Sequence, residues 1–170
     1  ARRTDQAGEE SVWRVPGAFR TPFVEVAGER LSLDGIEHGK VRRFGDPRVH
    51  AALVCGSWSC PTLRPEAYRG AAIDGQLEDQ MQFFLAAGGA VADPAAGTIA
   101  LSRIFLWYGT EFVRPDRMPS LRPANRRAVL GSLLRWLPPG TAAWVEAESP
   151  RIEFQAYDWA LGCAVGGRPA

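Results

Sequence analysis

Lysine is nearly absent from this chain of 170 residues: Lys40 stands alone, and every other basic residue is arginine. Arginine's planar fork suits carboxylates and phosphates. The net charge of +1 nevertheless gives no general attraction for nucleic acid or an acidic membrane. Cysteine is also scarce. Three residues cannot build a disulfide-dense secreted scaffold, and the odd number leaves at least one thiol outside any pairing within the chain. No apolar run approaches the roughly 20 residues that a membrane helix needs, so no membrane span is expected. The opening ARRTDQAGEES carries no apolar stretch after its arginines and does not read as a signal peptide. The chain starts with Ala, so an upstream segment, an export signal included, can have been removed; cytoplasmic and exported locations both stay open. The sequence holds no phosphate-binding glycine loop, no GxSxG elbow and no HExxH helix. Ser57 and Ser59 therefore have no motif that marks either as a nucleophile.

The length suits one domain, preceded by a flexible N-terminal tail over residues 1–12. PFVEVAGERLSL reads as two short strands around a turn at Gly28. Ser32 or Asp34 is placed to cap a short helix through IEHGKVRR, which FGDP ends. VHAALVC, bounded by Pro47 and Gly56, reads as a buried strand. GSWSCPTLRPEAYRG has turn chemistry. Asp74 is expected to cap a helix burying Leu77, Met81, Phe84 and Leu85. AVADPAAGTIAL reads as a hairpin turning at Asp93–Gly97, and Ser102 as the cap of a third helix with Ile104, Trp107, Tyr108 and Phe112 on one face. A fourth helix from near Pro123 buries Val129, Leu130, Leu133, Leu134 and Leu137, with Pro138-Pro139 as its stop. RIEFQAY is a last strand. Interspersed strands and helices argue for an α+β fold with a small mixed or antiparallel sheet and about four helices.

One concentration stands out against the scarcity. RVHAALVCGSWSC places one of two histidines and two of three cysteines within eleven residues of His50. A thiol becomes a nucleophile when a nearby imidazolium, a helix N-terminus or backbone N–H groups stabilise its anion. Cys55 ends the expected strand, where Gly56 permits a sharp turn. Cys60 precedes Pro61 and can cap a helix that begins there. Side chains alternate along a strand, so His50 and Cys55 are expected on opposite faces. That favours His38, from a separate element, as the base. Glu37 points about 100° away from His38 on a helix, so Asp158 is the better candidate to orient an imidazole. Structural alternatives stay open: a buried inert Cys55, a core histidine at His50, a Cys55–Cys60 disulfide, and a turn-forming Asp158. Zinc would favour these residue types, but His-x4-Cys-x4-Cys matches no standard zinc signature, and neither metal nor cofactor is assigned.

Four ordered blocks, LSLDGIEHG, FGDPRVHAALVCGSWSCPTLRPEAY, GTIALSRIFLWY and YDWAL, resemble the family catalogued as domain of unknown function 547. The family resembles this chain in an Ile-Glu-His step, a His before a short apolar run, two cysteines around a Ser-rich loop, and a Tyr-Asp-Trp. By resemblance these fall on Glu37 and His38, on His50, on Cys55 and Cys60, and on Tyr157, Asp158 and Trp159. Two departures matter. The family's upstream helical block with Asn-x-Tyr-Asn has no counterpart before Ser11, which leads to the expectation of a fragment. Ala160 and Gly162 stand where the family often has Ser and Asn.

The leading expectation is a cysteine-dependent hydrolase or acyltransferase acting on an amide, peptide or thioester, resembling a rearranged papain or transglutaminase. Cys55 would attack, His38 or His50 would carry the proton, Asp158 would fix the tautomer, and backbone N–H groups around Gly56 and Ser57 would hold the oxyanion. The partner expected is then a small-molecule or peptide substrate. Two other readings compete: a redox module cycling Cys55 and Cys60 between dithiol and disulfide, and a non-enzymatic binding or scaffolding domain.

Overall fold

The structure, a computed structural model, describes residues 11–115 and 123–162. Its centre is a three-stranded sheet. Strands β3 (Ala90–Asp93) and β4 (Thr98–Leu101) form the expected hairpin, with Ala90 opposite Leu101 and Asp93 opposite Thr98. Asp93 Oδ1 accepts the Ala96 N–H at 3.0 Å, a side-chain turn typical of Asp. Strand β5 (Arg151–Phe154) joins the other edge of β4 in parallel, with Ile99 opposite Ile152. A parallel pair needs a long crossover, and residues 102–150 supply it. A separate two-stranded ribbon, β1 (Val24–Val26) and β2 (Glu29–Leu31), turns at Ala27-Gly28, both with positive φ. The fold is α+β.

Ser32 caps α1 (Leu33–Gly39), its Oγ accepting the Gly35 N–H at 3.0 Å. Helix α3 (Ile73–Phe84) buries Leu77, Met81 and Phe84, and Leu85 follows in a widened last turn. Asp74 sits inside its first turn rather than capping it, and its carboxylate takes a hydrogen bond from Arg48. The expected third helix divides at Tyr108 into α4 (Ile104–Trp107) and α5 (Gly109–Val113), with Ser102 Oγ 3.4 Å from the Ile104 N–H. Asn125 caps α6 (Arg126–Leu133). The sheet and these helices enclose one core in which Leu85, Ile99, Leu101 and Leu133 are wholly buried and Phe105 packs between Phe84 and Phe112.

Four expectations need correction. VHAALVC is not a strand: Val49–Ala52 form a short helix, α2, and the chain becomes extended only from Leu53. FGDP does end the preceding helical segment, at Phe44 with Gly45 left-handed, but Asp46 Oδ1 also accepts the Arg48 N–H at 2.9 Å and the chain turns straight into α2. No helix follows Pro61, so Cys60 faces no helix dipole. The helical segment after α6 does end at Trp136, before Pro138-Pro139, but Pro139 is also the first residue of α7 (Pro139–Glu148), and the described residues carry seven α-helices in place of about four. Lastly, Ser11 and Val12 are buried, and Ser11 pairs with Ala160 as an isolated bridge. The expected tail therefore does not include those two residues; residues 1–10, and the third cysteine Cys163, lie outside the described residues.

Candidate functional site

Helix α2 changes the geometry expected of its neighbours. With 49–52 helical, strand alternation no longer separates His50 from Cys55, and both line one cleft of about 830 Å³ together with Glu37, His38 and Cys60. Its walls come from residues 12–20, α1, α2 and the loop behind it, α4, and the segment after β5.

The two sulfurs are joined as a disulfide, with Cα atoms 6.3 Å apart, within the range such bonds span. The loop folds back because Gly56 takes a left-handed conformation, φ +84°, which costs glycine little. The Cys55 N–H points at Cys60 Sγ at 3.0 Å. Cys55 Sγ lies 3.1 Å from Ser57 Oγ and 3.6 Å from the Tyr157 hydroxyl, which also donates to Cys60 Sγ at 3.4 Å. Burial pushes the Tyr157 hydroxyl pKa up, although the Ser57 bond pulls the other way, so it stays a proton donor.

The loop is clamped by the Tyr-Asp-Trp segment. Ser57 Oγ donates to Tyr157 Oη at 3.1 Å, the Asp158 N–H to Ser59 Oγ at 2.9 Å, and the Trp58 N–H to the Ala160 carbonyl at 2.9 Å. Gln80, buried on α3, donates to the carbonyls of Ala51 and Thr62 on either side of the cysteine loop. Ser57 and Ser59 thus serve as ties. Gly56 and Ser57 lie next to the cleft-lining Cys55 and are not themselves part of the lining.

His50 is 4 % exposed. Its ring stacks on Tyr108 with centroids 4.0 Å apart, and its Nε2 lies 2.9 Å from Glu111 Oε2. Glu111 also receives Arg42 through both carboxylate oxygens. Burial would raise the Glu111 pKa, but the hydrogen bonds from His50 and Arg42 outweigh it and bring it down to about 2. An ionised carboxylate on Nε2 holds the ring proton there. The Nδ1 lone pair is then the group His50 has left to offer the cleft. Glu111 and Arg42 did not figure among the candidates. The available signal was the lone acid of FLWYGTEFV, a charge in the middle of an apolar run, where carboxylates are seldom buried without partners.

His38 is placed otherwise. Its side chain is about half exposed, and Arg42 Nη1 lies 2.8 Å from its Nδ1. Arg42 can only donate, so it occupies that lone pair and leaves the proton on Nε2. Glu37 Oε1, 3.6 Å from His38 Nδ1, accepts instead from the Tyr108 hydroxyl at 3.1 Å. Asp158 is exposed, and its Oδ1 accepts the Ala160 N–H at 2.9 Å. It forms a turn and orients neither imidazole, a correction to the role expected of it; Glu111 holds that position beside His50. Among the described residues, no three His, Cys, Asp or Glu side chains converge in a way that would hold a metal ion.

Residues 3–85 match the family described as "Protein of unknown function, DUF547". The match takes in the first two of the four sequence blocks and ends before the other two. No curated protein matches the chain, and neither does any solved structure.

Proposed function

For a chain that resembles the DUF547 family over residues 3–85, we propose cysteine-dependent acyl transfer: hydrolysis or transfer on an amide, peptide or thioester. The observation that carries the reading is that His50, held by Glu111 at 2.9 Å, lines the same cleft as Cys55 and Cys60. With the disulfide reduced, the Cys55 thiol gives its proton to His50 Nδ1 and its sulfur bonds to the substrate carbonyl carbon. Glu111 holds the opposite edge of the ring and offsets the imidazolium charge. His50 then returns the proton to the leaving amine or thiol as the carbonyl re-forms. Water, giving its proton to His50, releases the acyl group and restores the thiol. The Tyr157 hydroxyl, 3.6 Å from Cys55 Sγ and on the cleft lining, is the donor assigned to the developing oxyanion.

The test is alkylation of the reduced protein with iodoacetamide across pH, with the modified residue located by mass spectrometry. Cys55 is expected to react well below pH 8, and His50→Asn is expected to return it to the profile of an ordinary thiol near pH 8.5. A wild-type Cys55 that reacts only with that slow, high-pH profile removes the proposal.

The disulfide itself favours a second reading, a redox module in which Cys55 and Cys60 exchange with a dithiol or glutathione-type partner. Equilibration against a glutathione couple, followed by non-reducing mass spectrometry, separates the two. Fast exchange together with no turnover of any ester or thioester supports the module.

A further inference from the structure

Five aromatic rings line the cleft in an unbroken chain of contacts that ends on the sulfurs. Phe19 meets Trp13 at 5.4 Å between centroids, Trp13 meets Trp159 at 5.1 Å, and Trp159 stacks on Trp107 at 5.6 Å. Tyr157 closes the chain, 4.8 Å from Trp107 and 4.4 Å from Trp159, and its hydroxyl touches both cysteines. Such rings would ordinarily be buried together for their area. Here Trp13 and Trp107 stay about two-fifths exposed.

The charged groups on the walls have partners of their own. Arg20 faces Asp34 at 3.9 Å, Glu37 accepts from Tyr108, and His38 is held by Arg42. An occupant bearing a charge would compete with these contacts for a counter-charge. A neutral apolar chain needs none, and aromatic faces accept it with little loss of their own freedom.

We infer that the aromatic wall is the acyl-binding arm of the site, and that it takes a neutral, extended apolar acyl group of several carbons whose carbonyl lies at Cys55. The inference rests on the proposed acyl-transfer reading for the identity of the group, while the preference itself is a property of binding. It names Trp107 as a specificity-determining residue, because its partly exposed ring contacts both Tyr157 and Trp159.

Binding and turnover are measured separately, so that each can fail without the other. Butan-2-one and octan-2-one, ketones the enzyme cannot cleave, are titrated into the reduced full chain carrying Cys55→Ala, with tryptophan fluorescence as the readout. Burying a methylene is worth about fourfold in affinity, so four of them set a ceiling near 200-fold. Octan-2-one is expected to bind at least tenfold more tightly than butan-2-one, and octanoate no more tightly than the ketone. Trp107→Ala is expected to lower octan-2-one affinity at least fivefold and leave butan-2-one within twofold. Equal affinity for the two ketones, tighter binding of octanoate, or indifference to Trp107→Ala overturns the inference. In parallel, acetyl and octanoyl thioesters of one thiol are offered to the wild-type chain. Chain-length-dependent binding with no thioester turnover retires the acyl-transfer chemistry and leaves the apolar arm standing.

Discussion

Replacing Glu111 with Gln tests the electrostatic centre of the site. The folded carboxylate has a pKa of about 2, against about 4.5 for a free glutamate. A difference of about 2.5 pH units corresponds to about 3 kcal/mol of stability at neutral pH. The folded-state value is depressed, so this contribution is complete above the unfolded pKa and drains away as pH falls through the folded one. Linkage leaves about 1 kcal/mol of it in place at pH 3, so about 2 kcal/mol is lost between pH 7 and pH 3. Glu111→Gln keeps the shape but not the charge, and leaves Arg42, 17 % exposed, without its anion. Urea unfolding of both proteins at pH 7, 5, 4 and 3 measures the difference. The variant is expected to be about 3 kcal/mol less stable at pH 7 and only about 1 kcal/mol less stable at pH 3. A stability gap that stays constant from pH 7 to pH 3 would refute the assignment of Glu111 as the buried, ionised partner of His50 and Arg42.

Two further outcomes follow from the packing. Phe105, 1 % exposed between Phe84 and Phe112, is expected to cost about 3 to 5 kcal/mol as Phe105→Ala in urea unfolding, while a loss under 1 kcal/mol would mean that it is not at the centre of the core. Tyr157→Phe removes the hydroxyl that Ser57 and Cys60 share; about 1 to 2 kcal/mol of stability and a rise in the alkylation midpoint of the reduced loop are expected, and an unchanged midpoint would show that this hydroxyl does not bear on the thiols.

Elements with a local signature were legible. The two hairpins declared themselves through Gly28 and Asp93–Gly97, and α3 through the spacing of Leu77, Met81 and Phe84. The proline signals were only half read. FGDP and Pro138-Pro139 do end the helical segments before them, yet proline is equally suited to a helix's first turn, and a helix follows each. The start missed after Asp46-Pro47 bore on the site. A short apolar run such as VHAALVC has no period of its own, so taking it as a strand turned His50 away from the cysteines and lent weight to His38 and Asp158. Cys55, Cys60 and His50 stood out in the sequence, the resemblance added the Tyr-Asp-Trp segment, and Cys55, Cys60, His50, Tyr157 and Trp159 line one cleft. Glu111 was not, because its partnership with Arg42 and His50 joins residues 69 and 61 positions apart in the chain. Nothing in the local pattern announces such a contact.

The departure at the end of the last block has a physical reading of its own. A Cβ placed on Gly162 would lie 3.2 Å from the Trp58 Cα and N and 3.3 Å from the Ser57 carbonyl carbon, all backbone atoms of the cysteine loop. The Gly162 N–H meanwhile bonds the Gly56 carbonyl at 2.9 Å. The absence of a side chain here lets the loop sit against the segment after β5 at a separation that any other residue would widen by a few tenths of an ångström. Gly162→Ala is therefore expected to destabilise by about 1 to 2 kcal/mol and to speed reduction of the Cys55–Cys60 bond by dithiothreitol, because the clamp on the loop loosens. Gly131 provides the control. It lies inside α6 with nothing within 4 Å of its Cβ position, so Gly131→Ala should stabilise by about 0.5 to 1 kcal/mol and leave the disulfide's reduction rate alone. The two substitutions add the same methyl group to the same protein, and the reasoning requires opposite signs. If Gly162→Ala proves as stabilising as Gly131→Ala, the loop is not held by that close approach, and the clamp described above does not govern access to the sulfurs.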